Sequence, residues 1–543
     1  MTQAYLNKPG EADLPASLQQ KYSRRSFLSS SAMLLSCTVL PSSLRNAAIA
    51  NVKGKIIKAS DLNFASALEA ARAIRKRQVS SVELTQHILK RIDQHNPSLN
   101  AIITLVRDKA LARARAADKA MAGGQCWGPL HGVPITIKDS FEIAGVRTAA
   151  GAPSLADYVP KEDAVAVSRL RAAGAVILGH TNVPTMLSDW QSYNKIFGTT
   201  NNPWDLKRTP GGSTGGGAAA LAAGLSYLSV GSDIGGSIRV PAHFCGVYGH
   251  KPTLNVIPLR GHIPPPPGMR PFPLGDLPVA GPLARSAADL QLALQVLGGP
   301  DTEEAVAYHW SLPPARGARL SDYRIGYVVS DSDCPLSSDV KDVIVKAIED
   351  LRRAGAHLEE DWPPGLDPAD QYKTYRYLLY AATSASSVED DQMEEMRKRA
   401  AKQDGSNDAI MARALTAPHK HFQAASKAQM AARAAWQAYF RTHDAFLLPT
   451  AFVPAFPHDH SQPSEERKLA TPEGPRPYSD LLFWISFATL AGLPATTAPV
   501  GQTRDGLPVG IQIIGPYLED ATPIDLAGKI ADVIGGFKRP KGY

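Results

Sequence analysis

The chain has 543 residues, 44% hydrophobic and 20% charged, with a formal net charge of +7. That composition describes an ordinary globular protein, of one large domain or several small ones. The positive charge is dispersed, the four cysteines are far apart without a CxxC pair, and no apolar run reaches the length of a bilayer. These features argue against nucleic acid as a partner, against a zinc knot or disulfide framework, and against stable membrane insertion.

The first feature in chain order is an address. Ser23-Arg24-Arg25-Ser26-Phe27-Leu28 sets two arginines directly before a short, Ser-rich apolar stretch, and small residues follow up to Ala48-Ile49-Ala50. The arrangement resembles a twin-arginine export signal with an A-x-A cleavage site. It predicts residues 1–50 as a signal and disordered N-terminus, the twin-arginine export machinery as a partner, and a periplasmic destination. A basic tail on a cytoplasmic protein is the competing reading. Leu34-Leu35-Ser36-Cys37 loosely resembles a lipoprotein box, but Cys37 comes so early in the apolar stretch that cleavage near Ala50 ranks above it.

Residues 58–540 carry no Pro/Gly-rich linker, which predicts a single large domain. Amphipathic spacing predicts helices over 63–77 and 81–94, the second capped by Ser80 with Glu83 three residues on. The Ala, Arg, Leu and Lys content predicts another over 100–122. Gly132-Val133-Pro134-Ile135-Thr136-Ile137-Lys138-Asp139 predicts a buried strand ending at Lys138. A helix over 163–173 and a strand over 174–178 follow. Further helices are expected near 339–353 and 424–440, and late strands at 445–448, 495–500 and 509–514. The alternation predicts an α/β fold with a mixed twisted β-sheet core flanked by α-helices on both faces.

Two glycine-dense segments stand out. In Thr209-Pro210-Gly211-Gly212-Ser213-Thr214-Gly215-Gly216-Gly217 a phosphate-binding loop fails for lack of the Gly-Lys-Ser/Thr step, and the dinucleotide spacing is not met cleanly. The Ala-rich run that follows, 218–223, argues against a flexible linker. In Gly231-Ser232-Asp233-Ile234-Gly235-Gly236-Ser237-Ile238-Arg239-Val240-Pro241 a serine follows two glycines after a β-like run. Its hydroxyl would be surrounded by bare N–H groups, as an oxyanion hole requires.

Together with Gly132–Asp139, these segments resemble the amidase signature family, with Lys138 75 residues before Ser213 and Ser213 24 before Ser237. Asn202-Pro203-Trp204-Asp205, Gly249-His250-Lys251-Pro252-Thr253, Gly281-Pro282-Leu283-Ala284-Arg285-Ser286 and Gly506-Leu507-Pro508-Val509-Gly510 extend the likeness over about residues 65–535. The resemblance implies hydrolysis of a carboxamide without cofactor or metal. Ser237 would be the acylated nucleophile, and Ser213, after a cis peptide bond, would bridge it to the base Lys138. The N–H groups of Ile234, Gly235, Gly236 and Ser237 would form the oxyanion hole. Thr214 departs from the second serine usual in this signature but keeps a hydroxyl.

For Lys138 to act as base it must be neutral, and burial beside Ile135 and Ile137 would favour that form. Alternation along the strand would turn Asp139 away from it. Arg239 is expected to support the second loop, and His131, His243 and His250 to be structural. Trp190, Gln191 and Tyr193 are candidates for lining the substrate pocket, with packing as the alternative. The partner implied is a small-molecule amide, and a homodimer is left open. Two other functions fit the same fold: the glutaminase subunit of a tRNA-dependent amidotransferase, and a catalytically silent binding protein.

Overall fold

The computed structural model of the chain describes residues 58–264, 276–384, 390–402 and 406–543. The Arg24-Arg25 signal, Cys37 and the Ala48–Ala50 cleavage pattern lie outside the described residues.

Short aliphatic and β-branched runs build one mixed sheet of eleven strands. In chain order these are β1 (Ile102–Leu105), β2 (Pro134–Lys138), β3 (Val176–Thr181), β4 (Leu228–Asp233), β5 (Tyr248–Lys251), β6 (Val279–Ala284), β7 (Arg324–Tyr327), β8 (His357–Glu360), β9 (Ala445–Pro449), β10 (Ala495–Gln502) and β11 (Pro508–Ile514). Across the sheet the order is β1-β3-β2-β4-β6-β5-β10-β11-β9-β7-β8. Strand β2 runs parallel to both its neighbours, β3 and β4, with Lys138 opposite Thr181 and Ile137 opposite Val230. Every residue of β2 is buried, as expected for a strand in a parallel block covered on both faces. The parallel register brings the C-terminal ends of β2 and β4 out at the same edge, where open α/β sheets place their sites. Lys138 thereby arrives beside Ser232 and the turn that follows.

The helices are α1 (Ala67–Arg75), α2 (Ser81–Leu99), α3 (Arg107–Ala122), α4 (Val165–Ala172), α5 (Gly215–Ala222), α6 (Arg239–Cys245), α7 (Ala287–Leu297), α8 (Ser338–Arg353), α9 (Pro368–Thr383), α10 (Met393–Ala400), α11 (Asn407–Thr416), α12 (His419–Tyr439), α13 (Leu481–Leu490) and α14 (Ala521–Ile534). Ser80 and Glu83 form the expected capping box on α2. A second box, Ser66 with Glu69, starts α1 later than the spacing predicts. Helix α5 consists of Gly, Ala and one Leu, all buried. A Cβ on Gly217 would lie 2.6 Å from Ser229 Oγ of β4, so part of the glycine density serves close packing of α5 on the sheet.

One expected element is corrected. The segment 100–122 is not a single helix, because Ile102–Leu105 pairs antiparallel with β3 and the helix begins at Arg107. Asn100 adopts a left-handed conformation with φ of 50° and ends α2, and Asn96 Oδ1 accepts from the N–H groups of Ala101 and Ile102. That turn delivers the β-branched Ile102-Ile103-Thr104 run to the sheet edge, where its shape fits better than in a helix. Among the described residues, no helix is long and apolar enough to cross a membrane.

Candidate active site

Lys138 ends β2 fully buried, and its Nζ lies 2.7 Å from Ser213 Oγ, 3.0 Å from Ser232 Oγ and 3.4 Å from the Ser232 carbonyl. Burial lowers its pKa from an ordinary 10.5 to about 7, against an opposing pull from the Asp233 carboxylate. An amine poised near neutral pH exists in useful amount as the free base. Asp139 faces elsewhere: its carboxylate accepts from the N–H groups of Ala149 and Gly151 and lies against His180.

Ser213 follows a cis peptide bond from Gly212. A Cβ on Gly212 would stand 2.3 Å from the Asp189 carbonyl, so only glycine lets this loop close on the segment 189–191. Ser192 Oγ donates to the Gly211 carbonyl and accepts from the Gly215 N–H, fastening the loop from below. The Thr214 N–H donates to the Ser237 carbonyl at 3.2 Å, which joins the first glycine loop to the second.

The second loop turns directly out of β4. Asp233 accepts from the N–H groups of Gly236, Ile238 and Arg239 and forms a buried ion pair with Arg239 at 2.8 Å. Burial alone would raise the Asp233 pKa, but Arg239 and the N–H donors outweigh it and hold the carboxyl well below its usual range. Arg239 extends to the Ile485 carbonyl and Thr489 Oγ1, tying the turn to α13. The expected supporting role of Arg239 is visible as these bonds.

Two further anchors orient the peptide planes. Tyr375 of α9 donates to the Ile234 carbonyl at 2.8 Å, and Trp190 Nε1 donates to the Gly235 carbonyl at 2.7 Å. In a trans peptide the following N–H points the opposite way. The Gly235 N–H is thus turned from Tyr375, and the Gly236 N–H is turned from Trp190 toward Asp233 Oδ1 at 3.0 Å. This corrects the expectation for Gly236, whose N–H is already engaged; its φ of +89° serves the turn itself. The N–H groups of Ile234, Gly235 and Ser237 donate to no acceptor among the described residues.

Trp190 therefore sits against the second loop. Gln191 and Tyr193 are held by polar contacts within the fold. Gln191 is fully buried, its amide bonded through both ends to the Asp459 backbone. Tyr193 stacks on His460 and bonds Asp189, Arg467 and Gln462. With the Arg467–Asp189 ion pair at 2.7 Å, these residues pin the 459–467 loop to the segment behind Gly212. His131, His243 and His250 each bond through both ring nitrogens to neighbouring groups: Trp127 and Ala117, Gly510 and Val453, Thr496 and Asp520. Among the described residues no group of three or more His, Cys, Asp or Glu side chains is placed to hold a metal ion.

Two residues escaped the sequence. Ser232 lies inside the second signature segment, and its position one step before the loop hinted only at a strand residue. His262, from the loop after β5, places Nε2 2.8 Å from Ser232 Oγ. No local pattern marks it.

The site thus holds a buried amine against Ser213 of the first glycine loop, with Ser237 on the turn of the second. Residues 83–523 match the family profile described as Amidase. The chain is 34% identical over 477 residues to the A subunit of the glutamyl-tRNA(Gln) amidotransferase of Prochlorococcus marinus (strain MIT 9313), covering 83% of this chain and 93% of that protein. Among solved structures, a crystal structure of amidase shares 28% identity at a TM-score of 0.70, covering 87% of this chain and all (100%) of the other. The A subunit of the Thermotoga maritima glutamyl-tRNA(Gln) amidotransferase shares 26% identity at a TM-score of 0.70, covering 90% and 100%. This chain belongs to the amidase signature family, enzymes that act on the C–N bond of carboxamides.

Proposed function

We propose that this chain hydrolyses a small carboxamide to the acid plus ammonia or amine, with Ser237 as nucleophile, Ser213 as proton bridge and Lys138 as base. The observation that carries this reading is the buried Lys138 amine, held near pKa 7 and 2.7 Å from Ser213 Oγ. A proton passes from Ser237 to Ser213 and from Ser213 to neutral Lys138 as Ser237 Oγ bonds to the carbonyl carbon. The oxyanion that forms is met by the N–H groups of Ile234, Gly235 and Ser237, each worth roughly 3–4 kcal/mol of barrier. Ser213 then delivers a proton to the leaving nitrogen and regains one from Lys138, while the C–N bond breaks and the acyl group stays on Ser237. Water repeats the cycle on the acyl-enzyme and releases the acid.

The second reading, a glutaminase subunit of a tRNA-dependent amidotransferase, has one observation in its favour. The Prochlorococcus marinus amidotransferase protein is 34% identical to this chain over nearly its whole length. A small panel of primary and N-substituted amides, with free glutamine among them, separates the two. Release of ammonia or amine by the isolated chain is expected; turnover that requires a partner protein and tRNA would favour the second reading.

The Arg24-Arg25 pair and its apolar sequel support export to the periplasm. Cells expressing the full chain are expected to hold a periplasmic form starting after Ala50, as read by N-terminal sequencing. Changing both arginines to lysine is expected to leave the precursor in the cytoplasm; wild-type protein found there at full length would contradict export.

A further inference from the structure

The proposed mechanism needs more of Lys138 than neutrality. A neutral amine has two hydrogens and one lone pair, and the lone pair must face the Ser213 hydroxyl. Ser232 supplies two of the three polar contacts around Nζ, through its hydroxyl at 3.0 Å and its carbonyl at 3.4 Å. The carbonyl can only accept, so it takes one hydrogen. The hydroxyl can accept or donate. If it donated to Nζ it would occupy the lone pair and disable the base.

His262 decides which. Its Nδ1 lies 3.1 Å from the Pro264 carbonyl, and its Nε2 lies 2.8 Å from Ser232 Oγ. A carbonyl can only accept, so Nδ1 carries the hydrogen, and in a neutral ring Nε2 is left as an acceptor. The ring stays neutral because it is buried, beside the Lys138 amine, and its pKa falls to about 3. It also packs edge-on against Phe141, at a centroid distance of 4.8 Å. The Ser232 hydroxyl must therefore give its proton to Nε2 and present only lone pairs to Lys138.

We propose that His262 is a positioning residue that, through the hydroxyl of Ser232, turns the Lys138 lone pair toward Ser213. Both Lys138 hydrogens are then spent on Ser232, one on Oγ and one on the carbonyl. The remaining direction is the 2.7 Å contact with Ser213 Oγ, along which the proton travels. His262 touches neither substrate nor the reacting atoms. This inference rests on the base role assigned to Lys138.

The test is a set of single and double variants assayed on whichever amide the wild type turns over, alongside the rate of Ser237 labelling by a fluorophosphonate. His262→Leu removes the acceptor; kcat is expected to fall roughly 10- to 100-fold, as when an outer partner of a reacting group is lost, with KM little changed. His262→Gln, which keeps an acceptor at similar reach, is expected to recover most of that loss. In the Ser232→Ala background the hydroxyl is gone, so adding His262→Leu is expected to cost nothing further. Where the leucine variant does not fold, His262→Met fills the same space flexibly and carries the same comparison. Wild-type kcat in the folded His262 variants, a loss confined to KM, no recovery by glutamine, or losses that multiply in the double variant would each overturn the inference. A wild-type chain that neither labels nor hydrolyses would overturn instead the hydrolase reading beneath it.

Discussion

Replacing Ser237 by Ala is expected to lower kcat for amide hydrolysis by about 10⁴-fold or more, the usual scale for loss of a nucleophile that works as part of a unit. The change removes one oxygen from a residue that is 7% exposed. It spares the backbone carbonyl that accepts from Thr214 and the N–H available to an oxyanion. Folding should therefore survive, and a thermal melt overlying that of the wild type would show that the loss is chemical. The oxyanion donors and bound substrate geometry remain, so a residue of catalysis above the solution reaction is expected. Activity within a few fold of wild type would remove Ser237 from the mechanism.

The second large effect belongs to Lys138. Lys138→Met keeps the length of the side chain and discards the amine, and about a 10⁴-fold loss in kcat is expected, since Ser237 and Ser213 lose the proposed proton acceptor. The fold should tolerate it, because an apolar chain replaces a group that burial already penalises. The pH dependence carries a sign. In the proposed mechanism the neutral amine is the active form, and its pKa is lowered to about 7, so kcat/KM should climb with pH through about 7 and level off above it. The methionine variant's residual activity should lack that limb.

Stability has its own pH dependence from the same group. Between about 7 and 10.5 the unfolded chain keeps a proton that folded Lys138 has released, so stability rises with pH across that window. Below about 7 the folded chain must protonate a buried amine, and the penalty is complete. Lys251 is equally buried, donates to the Pro252 carbonyl at 2.9 Å, and is lowered to about 7 as well. The two lysines act on a melting profile together with Asp139, whose carboxyl burial raises to about 7, so the loss of the rate limb in Lys138→Met is what assigns that limb to Lys138.

The parts of this site legible from the sequence are those fixed by short local patterns. A few adjacent residue types place Lys138 at the end of a strand, Ser213 in a glycine loop and Ser237 after two glycines, and the family resemblance supplies their expected roles. The structure then places Lys138 against Ser213 across 75 residues of chain. What the sequence hid is set by contacts between distant segments. Gln191 and Tyr193 sit near the first loop in sequence, but both also bond residues 459–467, some 268 to 274 positions away. Tyr375, which fixes the peptide plane behind Gly235, comes from a helix 141 residues downstream. The family resemblance marks Gly236 as an oxyanion donor, yet the carboxylate of Asp233, three residues earlier, accepts its N–H. The strand at Ile102–Leu105 was masked by the helix-forming residues that follow it; the left-handed Asn100 and the open edge of β3 decided its state. His262 had no local signature at all.

The most direct test of the central claim is to treat the chain with a fluorophosphonate over a range of pH and map the adduct by peptide mass spectrometry. One phosphonyl group is expected, on Ser237, with a labelling rate that rises through about pH 7 and loses that dependence in Lys138→Met. An adduct on another residue, no adduct, or a labelling rate indifferent to pH and to Lys138 would contradict it.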